Sequence, residues 1–93
     1  MAQVNWTKKS LKDLRAINDY ISLDSTFYAA RFISKLIKRV DQLIEFPDSG
    51  RIVPEKNEHD IRELIEGNYR IFYRLKKEKI TILRIHNSAR KIK

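Results

Sequence analysis

Hydrophobic and polar positions recur with two different periods along this chain, and the change of period divides it into elements. Ala2, Val4 and Trp6 alternate with Gln3 and Asn5, the period of two expected of a short strand. Thr7 or Ser10 then offers an N-cap hydroxyl. Leu11, Leu14, Ile17 and Ile21 follow at spacings of three, three and four, a core-facing helical stripe flanked by Tyr20. "SLDST" interrupts, with Asp24 or Ser25 as the next cap. From Phe27 onward, Ala29, Ile33, Leu36, Val40 and Leu43 form a second stripe, widened by Ala30, Ile37 and Ile44. Arg31, Lys35, Lys38, Arg39 and Asp41 lie on its rim. Three heptads are short for a dimeric coiled coil, so this helical hairpin is expected to cover a sheet.

Pro47 and Gly50 in "EFPDSGR" stop the second helix and turn the chain. "RIVP" reads as a brief extended piece and "EKNEHD" as a polar loop, while "IRELIE" fits either a strand or a helical turn. Gly67-Asn68 is a tight-turn pair. "YRIFYRL" is the clearest strand, with Tyr69, Ile71, Tyr73 and Leu75 on one face and Arg70, Phe72 and Arg74 on the other. "KKEK" turns, and "ITILRIH" returns. A turn centred on Lys77-Glu78 sets Tyr69 against His86, Arg70 against Ile85, Ile71 against Arg84 and Phe72 against Leu83, unless a bulge shifts the register. The order is strand, helix, helix, then three or four antiparallel strands.

The 93 residues allow one domain, 1–93, with a single core. No cysteine is present, and His59 and His86 are the only histidines, so neither a metal centre nor any other cofactor is expected. The N-terminal segment lacks an apolar signal region, and no stretch approaches the roughly 20 apolar residues of a membrane span, so a cytoplasmic protein with no membrane partner is expected. Charge adds more. Of 20 basic and 12 acidic residues, nine basic residues and one acid (Glu78) fall within positions 67–93, while the preceding 66 residues are balanced. That asymmetry favours an anionic partner, either nucleic acid or an acidic protein segment. A lysine-rich hairpin tip that keeps a sheet soluble is the plainer alternative.

Four stretches carry a resemblance: "DLRAINDYI", "LIEFPDSGRIVPE", "IRELIEGNYRIFYRL" and "ILRIHNSAR". In this order, on a chain of this length, they resemble the RelE/ParE superfamily of toxins from type II toxin–antitoxin (plasmid stabilisation) modules. The resemblance implies an α+β, RelE/ParE-like fold, with an N-terminal strand and a two-helix hairpin packed on a small twisted antiparallel sheet. It also implies growth arrest and neutralisation by a cognate acidic antitoxin. The ParE-like branch binds and poisons DNA gyrase. The RelE-like branch resembles ribosome-dependent ribonucleases that cut mRNA, chemistry that needs a base, an acid and cations around the phosphate.

Carried over residue by residue, Arg70 falls on the ribonuclease branch's phosphate-binding arginine and Arg90 on its second arginine. Its two lysine positions fall on Ile61 and Glu63, and its C-terminal tyrosine position falls beyond Lys93. In the other ribonuclease pattern the catalytic histidine position falls near Ser88, two residues from His86, and Glu55 or Glu58 stands only loosely for the glutamate. The phosphate clamp is thus present while the proton-transfer groups are displaced. The long helices and "FPDSGR" look more ParE-like, so a gyrase-binding toxin is expected, with an mRNA endoribonuclease as the alternative. In that alternative His86 is the catalytic residue. The candidate target-binding set is Arg70, Arg74, Arg84, Ser88 and Arg90. Arg70 and Arg90 are expected to meet at the turn of Asn87-Ser88, free of the core, so that alanine at either changes stability by less than about 0.5 kcal/mol. A third reading is a basic module that uses Arg70, Arg74 and Arg84 on nucleic-acid phosphates without toxicity.

Overall fold

The computed structural model describes residues 2–55 and 58–88. Its elements are β1 (Gln3–Trp6), α1 (Lys8–Ser22), α2 (Thr26–Asp41) with a 3-10 turn at Gln42–Ile44, β2 (Arg51–Ile52), β3 (Ile61–Glu66), β4 (Tyr69–Lys76) and β5 (Lys79–Asn87). The five strands form one sheet in the order β1-β5-β4-β3-β2. β2 to β5 are antiparallel neighbours, as expected, and "IRELIE" is a strand. β1 departs from that pattern because it joins the sheet parallel to β5, through Val4 opposite Ile80 and Trp6 opposite Ile82.

The helices begin where hydroxyls satisfy their first amides. Thr7 accepts from the Ser10 amide at 3.0 Å, and Ser25 accepts from the Tyr28 amide at 3.0 Å. Leu36, Val40 and Leu43 are fully buried against Ile71, Tyr73, Ile80 and Ile82, the centre of the core. Phe32 packs on Tyr69 with ring centroids 5.3 Å apart. The apolar stripes are narrower than their periodicity implies. Leu11, Ala30 and Ile37 are exposed, because a helix lying on a flat sheet buries only its central rows.

β1 pairs with only the first half of β5, and α1 covers the rest of that edge. Thr7 Oγ1 donates to the Ile82 carbonyl at 2.8 Å, and Asp13 Oδ2 accepts the Ile85 amide at 2.9 Å. Thr7 Oγ1 also reaches the Leu83 carbonyl at 3.2 Å, so past the end of β1 the edge of β5 is served by the Thr7 and Asp13 side chains. The β4–β5 register holds as expected from Lys76–Lys79 through Tyr73–Ile82. A bulge then intervenes, so Phe72 faces Arg84, Ile71 faces Ile85, Arg70 faces His86 and Tyr69 faces Asn87. The expected pairings of these four residues are each one position off, with Leu83 as the extra residue.

"FPDSGR" is tied to the sheet by one side chain. The buried Tyr73 hydroxyl donates to the Pro47 carbonyl and accepts the Gly50 amide, both at 2.9 Å, and its burial pushes the phenol pKa up. Gly50 has no room for a side chain, since a Cβ there would lie 2.5 Å from the Tyr73 oxygen and 2.7 Å from the Glu63 carbonyl. Tyr73→Phe strands the buried Gly50 amide and the part-buried Pro47 carbonyl, so it is expected to lower unfolding free energy by about 2 kcal/mol. Urea unfolding checks this, and a loss under about 0.5 kcal/mol would show that the loop is held by other contacts.

Candidate functional site

The helices cover one face of the sheet. The other face presents Arg70, Phe72 and Arg74 from β4, Ile61, Glu63 and Ile65 from β3, and Arg84 and His86 from β5, all aligned by strand register. Alternation along "YRIFYRL" therefore sorted its residues between core and outer face as expected.

Glu63 organises this face. Its side chain has no solvent exposure and it sits one diagonal step from Arg70 across the β3–β4 pair. One carboxylate oxygen accepts from Arg51 Nε, the other from Arg70 Nε at 2.6 Å and from Arg70 Nη2. Arg70 presents its other edge to Glu55, with Nη1 at 2.9 Å and Nη2 at 3.3 Å from the two carboxylate oxygens. Its guanidinium carbon lies 4.9 Å from the Phe72 ring centroid. The hydrogen bond to Arg70 holds the Glu55 carboxyl below its usual pKa, with Arg51 adding to the effect at longer range. The contact with Glu55, followed by that with Glu63, raises the Arg70 pKa in turn.

The remaining candidates are engaged too. Arg74 Nη1 lies 2.7 Å from Asp60 Oδ2. Burial raises the Asp60 pKa, but the hydrogen bond and charge of Arg74 outweigh it, and the net shift is downward. Arg84 grips Asp13 of α1 with Nε and Nη2 at 2.8 and 3.2 Å, which raises the Arg84 pKa. Ser88 fastens the end of β5 to the Gly67-Asn68 turn, its amide and hydroxyl donating to the Asn68 carbonyl at 2.7 and 2.8 Å. Arg90 and its expected approach to Arg70 lie outside the described residues. His86 stands directly opposite Arg70, half-buried, with Nε2 shielded from solvent and without a hydrogen-bond partner among the described residues.

Two expectations therefore change. Arg70 is on the face assigned to it, but its side chain is only 14% exposed and paired inside the fold, so it is not a free surface cation. For Arg70→Ala a loss larger than about 0.5 kcal/mol is now expected, because a buried carboxylate would lose one of its two arginine partners. The sequence reading also passed over Arg51, and it treated Glu63 only as a position where a lysine was missing. The hairpin at Gly67-Asn68 held the signal, since a two-residue turn sets Glu63 opposite Phe72.

Among the described residues no cluster of three or more His, Cys, Asp or Glu is arranged to hold a metal, and no helix is long and apolar enough to cross a membrane. A groove of about 190 Å³ between α1 and the end of β5, lined by Tyr20, Tyr69, Arg84, His86 and Asn87, is smaller than the roughly 300 Å³ of ordinary small-molecule pockets. What this side of the molecule offers is a surface of preset guanidinium groups.

Comparison with known proteins places that surface in a family. The sequence profile described as "ParE toxin of type II toxin-antitoxin system, parDE" matches residues 4–92. "Toxin RelE2" of Caulobacter vibrioides is 38% identical over 91 residues, covering 97% of this chain and 99% of that protein. "Putative toxin Y4kP" of Sinorhizobium fredii is 34% identical over 88 residues, covering 90% and 88%. Among solved structures, a chain of the chromosomal ParDE system from P. aeruginosa superposes with a TM-score of 0.75 at 28% identity, covering 94% of this chain and 96% of that one. A chain of the RelBE2 toxin–antitoxin complex from Mycobacterium tuberculosis shares the fold, with a TM-score of 0.70 at 17% identity, covering 92% and 96%. The profile match and these relatives show a type II toxin of the RelE/ParE superfamily, and the helical hairpin on a five-stranded sheet is the fold of the solved structures. Within it, the chain belongs to the ParE toxin family.

Proposed function

We propose that this protein arrests growth by binding and poisoning DNA gyrase in the cytoplasm, and that an acidic antitoxin neutralises it. The observation that carries the reading is the state of His86. A general base must come within hydrogen-bond reach of the proton it removes. His86 Nε2 is instead shielded from solvent and has no hydrogen-bond partner among the described residues, although its residue lines the groove beside α1. A binding toxin needs no such group, and the preset arginines supply recognition without proton transfer. The match to the ParE profile over residues 4–92 supports the same branch.

The helical hairpin supports the antitoxin half of the proposal. Leu23, Phe27 and Tyr28 are 82%, 71% and 64% exposed at its tip, and Phe27, Tyr28, Arg31, Lys35 and Lys38 line one groove along α2. An apolar strip edged with cations suits an acidic segment that folds on contact. Co-expression of such a partner restores growth in this account, and the complex weakens at high salt.

One specific observation favours the ribonuclease alternative: His86 and Arg70 are direct cross-strand neighbours, an imidazole beside a phosphate-binding position. Induced expression separates the two. Poisoned gyrase is expected to induce the DNA-damage response while protein synthesis initially continues. Prompt loss of translation would overturn the gyrase reading, and unimpaired growth at confirmed soluble levels would overturn both.

A further inference from the structure

Arg70 has two edges that can each bind a carboxylate through two nitrogens, and the fold uses them differently. The Nε/Nη2 edge faces Glu63, which has no exposure and cannot leave without unfolding the sheet. The Nη1/Nη2 edge faces Glu55, which is 57% exposed and sits in the segment between β2 and β3. One partner is structural and the other is exchangeable. Arg51, 59% exposed, is held by the same Glu63 carboxylate, and its charge also acts on Glu55. Without Glu55, two guanidiniums and one carboxylate leave a single net positive charge, and the outward fork of Arg70 is already oriented by Glu63 and Phe72.

We propose that Arg51 and Arg70, fastened by Glu63, form an anion site whose resting occupant is Glu55, and that a carboxylate of an acidic protein partner displaces Glu55 to bind there. The proposal rests on the reading of this outer face as the surface the toxin presents to another macromolecule. A protein carboxylate fits better than a nucleic-acid phosphate for two reasons. The occupant already seated is a carboxylate held by two nitrogens, the geometry a glutamate or aspartate from a partner would reproduce. The direct β3 neighbour of Arg70 on the same face is Ile65, which is 49% exposed and offers contact to an apolar side chain rather than to a phosphate backbone. β2 pairs with Arg62 and Glu63, and the Val53 amide after it donates to the Ile61 carbonyl, so the part of the β3 edge that this segment leaves for an extended peptide is at Leu64, Ile65 and Glu66.

Glu55 then acts as an intramolecular competitor that weakens premature binding. The test uses the purified full chain and a capped Glu-Val-Glu-Val-Glu peptide, with its Gln-Val-Gln-Val-Gln counterpart and a single-stranded 12-mer oligonucleotide as comparison probes. Binding is followed by NMR titration of arginine Nε–H signals. Glu55→Gln removes the competitor without touching the core. The acidic peptide is expected to bind it about fivefold more tightly than the parent chain, the scale of one exposed ion pair. Adding Arg51→Ala is expected to abolish that gain, with the glutamine peptide and the oligonucleotide unchanged throughout. Equal peptide affinity in Glu55→Gln, or a gain for the oligonucleotide instead, overturns the proposal. Gyrase inhibition by the same samples is scored separately, so failure of the carboxylate site and failure of the gyrase reading give different results.

Discussion

Replacing Glu63 with alanine is expected to destabilise the protein by about 3–5 kcal/mol, the range for breaking a buried ion pair by removing one partner. Glu63 is fully enclosed and is shared by two arginines. Its removal leaves Arg70, itself largely buried, with only the exposed Glu55 as counter-charge, and empties a buried position opposite Phe72 in the strand register. Glu63→Gln keeps an acceptor oxygen in place but loses the charge, so its cost is expected to be smaller and carried mainly by the Arg70 contact. For a domain of this size the alanine change is expected to lower Tm by more than about 10 °C. A loss below about 1 kcal/mol in urea unfolding would mean that both guanidiniums find water as readily as they find Glu63. The outer face would then be a loose collection of surface charges rather than a preset site.

The second large effect concerns His86→Ala, and it is a difference between two mechanisms. General acid–base catalysis contributes about 10²–10⁴-fold, so a ribonuclease that relied on His86 would lose most of its toxicity. A gyrase poison moves no proton at this residue, and its toxicity is expected to stay within about threefold of the parent, the margin of roughly 0.6 kcal/mol that a peripheral contact supplies. The structure makes the comparison clean. His86 Nε2 has no hydrogen-bond partner among the described residues, so deleting the ring orphans no partner of that atom. Thermal unfolding of the variant checks that the fold is kept, and the inducer concentration needed for growth arrest reads the toxicity.

The core of this fold is legible from the chain because burial follows period. Leu36 and Val40 on α2 with Leu43 in the 3-10 turn after it, and Tyr69, Ile71 and Tyr73 on the central strand, announce themselves by spacing alone. Leu11 and Ile37 share that spacing and are exposed, since periodicity gives direction but not the width of the surface being covered. The parallel placement of β1 depends on where α1 and α2 return the chain, a tertiary fact with no local signal. The bulge at Leu83 is similar, because nothing in "ITILRIH" marks which residue is extra.

The site was legible in its residue types and hidden in its pairings. Arginines on alternate positions of "YRIFYRL" point to an outer arginine-bearing face, and they share that face, each paired with a carboxylate. Their availability is decided by acids from other elements: Glu63 and Glu55 for Arg70, Asp60 for Arg74, and Asp13, 71 positions away, for Arg84. Only the first of these was within reach of sequence reasoning. Once "IRELIE" is read as a strand, the two-residue turn at Gly67-Asn68 fixes Glu63 diagonally beside Arg70. Long-range ion pairs such as Arg84–Asp13 carry no comparable mark.

The measurement that bears most directly on the proposed function sets purified protein against both targets in parallel. One arm holds gyrase, relaxed plasmid and ATP, and the other holds ribosomes programmed with a defined mRNA. The account predicts loss of supercoiling with accumulation of gyrase-linked broken DNA in the first arm, and intact mRNA in the second. Cleavage of the mRNA at ribosome-occupied codons, with supercoiling unaffected, would contradict it.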